Sequence, residues 1–276
     1  MSDSDTDPEE SLDLFADPPD YYPPSPTPTT ETYTLLAGSA VSVRLVGHNP
    51  LWGHHLWNAG RILSEYLESN VSLIQGRTVL ELGAGAGLPS LICASLGANK
   101  VVVTDYPDPD LIENLWYNID HSGLNEGGVA SNKDDADGKR IVAEGYTWGA
   151  DPASLLSHIT KTSLQSTTET TTPAGFDVLI LADLLFNHSE HTKLVSTIQR
   201  TLSHSSAAKA LVFFTPYRPW LLSKDLTFFD LMREAGFAVE KVLETKMEKV
   251  MFEKDPGDEE LRRTVFGYAV TRENQQ

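Results

Sequence analysis

Apolar and polar positions change their period along this chain, and the changes mark its elements. Leu56, Ala59, Ile62, Leu63, Tyr66 and Leu67 recur at three- and four-residue spacing, which predicts an amphipathic helix over Leu56–Glu68. Before it, AVSVRLVG alternates over Ala40–Gly47 and predicts a first strand. After it, short apolar runs and helical patterns take turns. Thr78–Leu82 reads as a buried strand, and Leu88–Leu96 as a helix with Pro89 in its first turn and Gly97 closing it. Lys100–Thr104 is the next strand, Asp110–Ile119 a helix and Arg140–Glu144 a strand. Phe176–Leu181 is a strand, Glu190–Leu202 a helix, Lys209–Thr215 a strand, and Leu222–Ala235 a helix that ends at Gly236. Two long strand-like runs, Phe237–Glu244 and Arg263–Thr271, flank the acidic break DPGDEE.

Alternating strands and helices predict a parallel sheet with helices on both faces. The closing pair of strands has no helix between its members, so an antiparallel edge is expected. Two polar inserts, 123–139 and 162–175, read as surface loops. Residues 1–32 mix acids with Pro, Ser and Thr, too little apolar surface to offset ordering entropy, so a disordered segment is expected there. A polyproline docking motif around Pro23–Pro28 is the alternative. The folded domain is then expected over 33–276.

Composition narrows the function. The chain has 276 residues, 40% of them hydrophobic, enough for a sizeable core. Its formal net charge of -18 argues against a nucleic-acid binder, which needs a basic face, and suits a Lys-rich protein partner. The first basic residue is Arg44. The single cysteine, Cys93, reads as a small buried hydrophobe and rules out an internal disulfide. No apolar run is long enough for a bilayer, and the acidic N-terminal stretch lacks the basic region of a secretory or transit signal; a cytoplasmic protein is expected.

Candidate chemistry centres on VLELGAGAGLPS, Val79–Ser90. A glycine turn from strand to helix lets a ligand approach the backbone and points helix N-terminal amides at it. A phosphate loop needs a Lys–Ser or Lys–Thr pair after the last glycine, and none follows Gly87. The dinucleotide pattern GxGxxG is satisfied at Gly83 and Gly85, but its third position is Leu88. The turn is therefore GxGxG, preceded by Glu81 and followed about 20 residues on by Asp105, placed where a carboxylate binds ribose hydroxyls. Either the site holds an adenosine-type ligand, or this is a plain structural turn.

ELGAGAG together with Asp105 resembles the first motif of seven-β-strand methyltransferases, which bind S-adenosylmethionine. LWNAG, YTWG and LADLLFNH resemble pieces of the methyltransferase 16 group of protein-lysine methyltransferases. PLWGHHLWNAG, GLPSLICA, VVVTDYPDPDLIENL and DLLFNHSEH together resemble one fungal branch, whose members methylate the N-terminus and a lysine of translation elongation factor 1-alpha. Some of that branch carry the older label nicotinamide N-methyltransferase. The resemblance implies a Rossmann-like, seven-stranded class I methyltransferase sheet, mostly parallel with an antiparallel edge strand and helices on both faces. It implies S-adenosylmethionine as cofactor, elongation factor 1-alpha as protein substrate, and neither nucleic acid nor membrane as partner.

Under that resemblance Gly83, Ala84 and Gly85 hold the methionine and ribose portion of the cofactor, and Asp105 the ribose. Glu81 either receives the cofactor's amino group or serves the following helix N-terminus as a dipole partner. Trp57 lines the cofactor site, with Trp52 as the alternative; Trp148 touches the adenine edge or caps its loop; Ala182 offers a backbone contact. Asp183 and Phe186 stand at the carboxyl end of the fourth strand of the alternating β/α region, where ligands of open α/β sheets bind. There the carboxylate can orient the acceptor amine or take a cofactor hydrogen bond, and the ring can face a methylated ammonium. Many relatives have Tyr at this position; Phe186 provides no phenolic base. Tyr217 and Trp220 either wall an acceptor channel or pack their loop, and His188 and His191 read as a helix cap rather than metal ligands. The competing functions are a protein N-methyltransferase, a nicotinamide N-methyltransferase and a cofactor-binding module without turnover.

Overall fold

Within each central strand, successive side chains fall into two different cores, as the two-residue period of a strand requires. Val101 and Val103 join one core while Val102 joins the other; Val178 and Ile180 split in the same way from Leu179 and Leu181. The sheet is therefore covered on both sides, and its strands are apolar throughout, as parallel strands must be. The computed structural model describes residues 26–121, 140–163 and 175–273.

The elements in order are β1 (Thr29–Thr34), β2 (Ala40–Leu45), α1 (Asn58–Ser69), β3 (Thr78–Leu82), α2 (Leu88–Ser95), β4 (Lys100–Asp105), α3 (Pro109–His121), β5 (Ile141–Gly145) and α4 (Ala153–Ser163). Then follow β6 (Val178–Ala182), α5 (His191–Thr201), β7 (Lys209–Phe214), α6 (Leu222–Glu234), β8 (Phe237–Lys246), α7 (Glu259–Arg262) and β9 (Thr264–Arg272). Seven strands form one sheet in the order β5-β4-β3-β6-β7-β9-β8. Pairings from β5 to β7 are parallel; β9 runs antiparallel to both β7 and β8. The closing pair does produce the antiparallel edge, although the short helix α7 lies between its strands, and the later strand β9 is inserted between β7 and the outermost β8. Helices α1, α2 and α3 supply apolar residues to one core, and α4, α5 and α6 to the other. Among the described residues no helix is long and apolar enough to cross a membrane.

The order of strands reverses between β3 and β6, and both lead out of the sheet at their carboxyl ends beside one another. That is the crevice where open α/β sheets bind ligands.

Two expectations need correction. The fold does not wait until Tyr33: Thr29–Thr34 pairs with β2 as an antiparallel hairpin. The Pro-rich average of residues 1–32 hid a β-branched TTETYT whose Tyr33 is buried and donates its hydroxyl to Glu68 at 2.5 Å. Residues 1–25 lie outside the described residues, so the expected disorder there concerns a segment that this structure does not describe. The second insert starts later than expected, because α4 extends through Ser163. Helix α4 was missed altogether, since Leu155, Leu156 and Ile159 give too short an apolar stripe to stand out in a polar stretch. The first insert and residues 164–174 also lie outside the described residues.

Arg44 joins this hairpin to the sheet's helices. Asn118 of α3 accepts from Arg44 N at 2.7 Å and donates to Arg44 O at 2.8 Å, imitating a strand partner, and its amide also reaches Ala86 O at 2.9 Å. Asn118→Ala removes the acceptor of Arg44 N and the donor to Ala86 O, while Arg44 O keeps its bond from Asn114 Nδ2 at 2.8 Å; it is expected to cost about 1–3 kcal/mol, seen as a fall in Tm of several degrees by calorimetry.

Candidate active site

The glycine turn is a backbone requirement before it is a binding device. Gly83, Gly85 and Gly87 all have positive φ, at 59°, 57° and 75°, a region that side chains with a Cβ avoid. A Cβ on Gly83 would stand 2.7 Å from Leu184 Cδ2 and 3.0 Å from Trp148 Cζ2. A Cβ on Gly85 would meet nothing within 4 Å, because it would project into the open crevice. Ala84 N donates to Thr104 O at 3.0 Å, which stitches the turn to β4.

Asp105 ends β4 beside this turn. Its Oδ2 accepts from Gly85 N and its Oδ1 from Tyr106 N, each at 2.6 Å. Burial pushes its carboxyl up from the ordinary value, and the two amides pull it back. Each oxygen keeps a second lone pair for a ligand hydroxyl. Glu81 is 1% exposed and accepts from Ser90 N at 3.0 Å, in the first turn of α2. That contact is the helix-dipole partnership, and the same carboxylate lines the crevice. Burial pushes its carboxyl up to about 8.

Asp183, directly after β6, has φ 54, a costly conformation for a non-glycine residue. Its surroundings explain how it is kept. Oδ2 accepts from Ala59 N of α1 at 2.9 Å and from the Tyr217 hydroxyl at 3.4 Å; Oδ1 accepts from Thr215 N, just past β7, at 2.7 Å. Burial pushes this carboxyl up to about 7 against the pull of those donors.

These residues border two adjoining cavities. The larger, about 760 Å³, is lined by the glycine turn, Glu81, Asp105, Trp148 and Ala182. The smaller, about 210 Å³, is lined by aromatic rings and three carboxylates, Asp183, Asp225 and Asp255. Trp52, Trp57, Asp183, Phe186 and Arg218 face both. Trp57, Glu81, Gly83, Ala84, Gly85, Asp105, Trp148, Ala182, Asp183 and Phe186 all line the larger cavity. Trp57 packs on Tyr217 at 5.1 Å between ring centroids and on Phe252 at 5.9 Å. Trp52 joins this cluster at 6.5 Å from Trp57.

Tyr217 walls the smaller cavity; Trp220 lies outside both and packs near Gly257. His188 Nε2 donates to Asp225 Oδ1 at 2.6 Å, and His191 Nε2 donates to Leu185 O at 2.8 Å. Among the described residues no group of three or more His, Cys, Asp or Glu is arranged to hold a metal. Sequence reasoning missed Asp225, Phe252 and Asp255. Asp225 sits inside a helical pattern and the other two beside the acidic break, so no local motif marked them.

The larger cavity fits S-adenosylmethionine on three counts of its own. The turn leaves open space above Gly85, a carboxylate for ribose hydroxyls stands against it, and no cationic phosphate grip accompanies it. Lys193 lies at the same cavity but is paired with Glu190 at 2.9 Å.

A family model described as lysine methyltransferase matches residues 47–235. A Neurospora crassa protein named protein N-terminal and lysine N-methyltransferase is 56% identical over 257 residues, covering 93% of this chain and 86% of its own. Identically described proteins of Emericella nidulans and Gibberella zeae are 48% and 46% identical, each covering 94% of this chain and, respectively, 94% and 93% of their own.

Asp105→Ala should weaken S-adenosylhomocysteine binding by about 1–3 kcal/mol in calorimetry, because ribose hydroxyls and Gly85 N lose their acceptor. Glu81 supplies a pH prediction. Its folded-state value lies above the ordinary one, so its contribution to stability is complete below about pH 4.5 and is lost as pH rises to about 8. The neutral Glu81→Gln chain keeps an acceptor for Ser90 N. Its Tm should gain on the native chain by several degrees between pH 5 and pH 8, in scans without ligand.

Proposed function

The chain belongs to the lysine methyltransferase family, and from that premise we propose that its acceptor is the N-terminal glycine and the adjacent lysine of translation elongation factor 1-alpha. The enzyme is an S-adenosylmethionine-dependent N-methyltransferase. The observation that carries the proposal is the smaller cavity: carboxylates and rings arranged around a space that adjoins the cofactor crevice. Amines are cationic in water, and such a lining suits them before and after methylation. The fungal relatives, named protein N-terminal and lysine N-methyltransferases, support the same acceptor chemistry.

When bound, S-adenosylmethionine would supply a methyl group on a sulfonium: the acceptor nitrogen's lone pair bonds to that carbon, the C–S bond breaks, and its electron pair leaves with sulfur as S-adenosylhomocysteine. The protein's task is to align the nitrogen and exclude water. Asp183 is positioned to orient the amine, and Trp57 and Phe186 to enclose it where the two cavities meet. An α-amine loses its proton near pH ~8, a lysine near ~10.4. The lysine therefore needs the greater desolvation to shed its proton.

Asp183→Asn cannot keep the site's shape, because one amide nitrogen must face a backbone N–H. Turnover should fall by a factor on the order of 10²–10³, and Tm should fall with it. Recombinant elongation factor 1-alpha and nicotinamide, offered as rival acceptors, separate the readings. Methyl should enter the protein and not nicotinamide, and mass spectrometry of the factor from cells lacking the enzyme should show an unmethylated N-terminus. Preferential methylation of nicotinamide overturns the proposal.

A further inference from the structure

Of the carboxylates on the smaller cavity, Asp225 has no place in the account so far. It lies in the first turn of α6 and is only 6% exposed. Its Oδ1 is paired with His188 Nε2 at 2.6 Å, while no described group donates to its other oxygen. Asp183 differs, since both of its oxygens already accept backbone N–H groups. On the same cavity Thr215 Oγ1 is buried and lies against Asp183 and Tyr217, without a hydrogen bond of good geometry. A buried carboxylate with a spare oxygen is unfavourable in isolation. An ammonium in the cavity satisfies it.

Charge points the same way. Three carboxylates face this cavity and one guanidinium, Arg218, which donates to Phe186 O at 2.7 Å. A single amine needs one carboxylate. An N-terminal residue followed by lysine carries two amines on adjacent residues, the second on a flexible four-carbon arm.

We propose that Asp225, oriented by His188 and flanked by Thr215, is a specificity-determining residue that holds the second ammonium of a dibasic N-terminus while the reacting nitrogen lies at Asp183. The inference rests on the acceptor argued above. With the N-terminal amine at Asp183, the lysine ammonium occupies Asp225. His188 holds one oxygen of Asp225 and leaves the other for the substrate. The neighbouring charged groups are Arg218 and His191. The subsite thus selects the residue after the N-terminus, which a pocket for a neutral ring such as nicotinamide has no need to do.

The test uses the full chain and two forms of recombinant elongation factor 1-alpha, one native and one with the adjacent lysine replaced by glutamine. Methyl on the N-terminal amine alone is counted by mass spectrometry. The native enzyme should show a KM about tenfold lower for the lysine form, the scale of one charge-assisted hydrogen bond. Asp225→Asn retains an acceptor for His188 and removes the charge. It should raise KM about tenfold for the lysine form, change kcat by less than about twofold, and leave the glutamine form unchanged. Binding of S-adenosylhomocysteine, measured on the same samples, reports the fold. Equal KM values for the two forms with native enzyme overturn the subsite while leaving the acceptor reading intact. Equal losses on both forms in Asp225→Asn make the residue structural and also overturn it. No methyl on either form overturns the acceptor reading and the subsite together.

Discussion

The carboxylate of Asp183 is the contact on which the site's geometry depends. One side chain ties the amino end of α1, the carboxyl end of β6 and the segment after β7, through Ala59 N, Thr215 N and Tyr217. Three elements far apart in sequence are fixed by four atoms. A buried carboxylate without such donors would be strongly destabilising. With them it locks a residue of positive φ in place and sets where Trp57 can stand, because Trp57 begins the helix that Asp183 caps. The cofactor crevice and the acceptor cavity share this boundary.

On one side of it the turn is built for a ligand without phosphate. Glycines provide space instead of charge, and the carboxylates of Glu81 and Asp105 occupy positions that a phosphate site would give to cations. On the other side rings and aspartates replace glycine. The division follows from sheet topology: β3 and β4 furnish the crevice, whereas β6, β7 and the β8–β9 connection furnish the cavity.

Much of the first side was legible in the chain. Local physics favours GxGxG, since glycine adopts those φ values at the least cost, and the spacing to Asp105 is one helix and one strand. Glu81 shows how far a motif reaches: both readings of it were open, and the structure gives its hydrogen bond to Ser90 while leaving it on the crevice. The second side was largely illegible, because it depends on long-range juxtaposition. Nothing near Asp225 or Phe252 announces that α6 and the β8–β9 connection meet Trp57. Strand β1 escaped because composition was averaged over a window that contained it, and α4 because its apolar stripe is short. Tyr217 and Trp220, equivalent in sequence, separated only when the loop after β7 acquired a path.

The insertion of β9 between β7 and β8 bears on synthesis. Ribosomes make β8 before β9, yet β8 has no neighbour in the sheet until β9 arrives and pairs with β7. Pairings of this kind close late and leave an open sheet edge meanwhile. The connection that carries Phe252 and Asp255 is anchored by Arg262, which donates to Phe252 O at 2.7 Å, and by Met247 N bonded to Arg263 O at 2.7 Å. During biogenesis the molecule therefore completes its donor-binding half first, and the nascent chain has no finished place for a substrate until its last strand has slotted home.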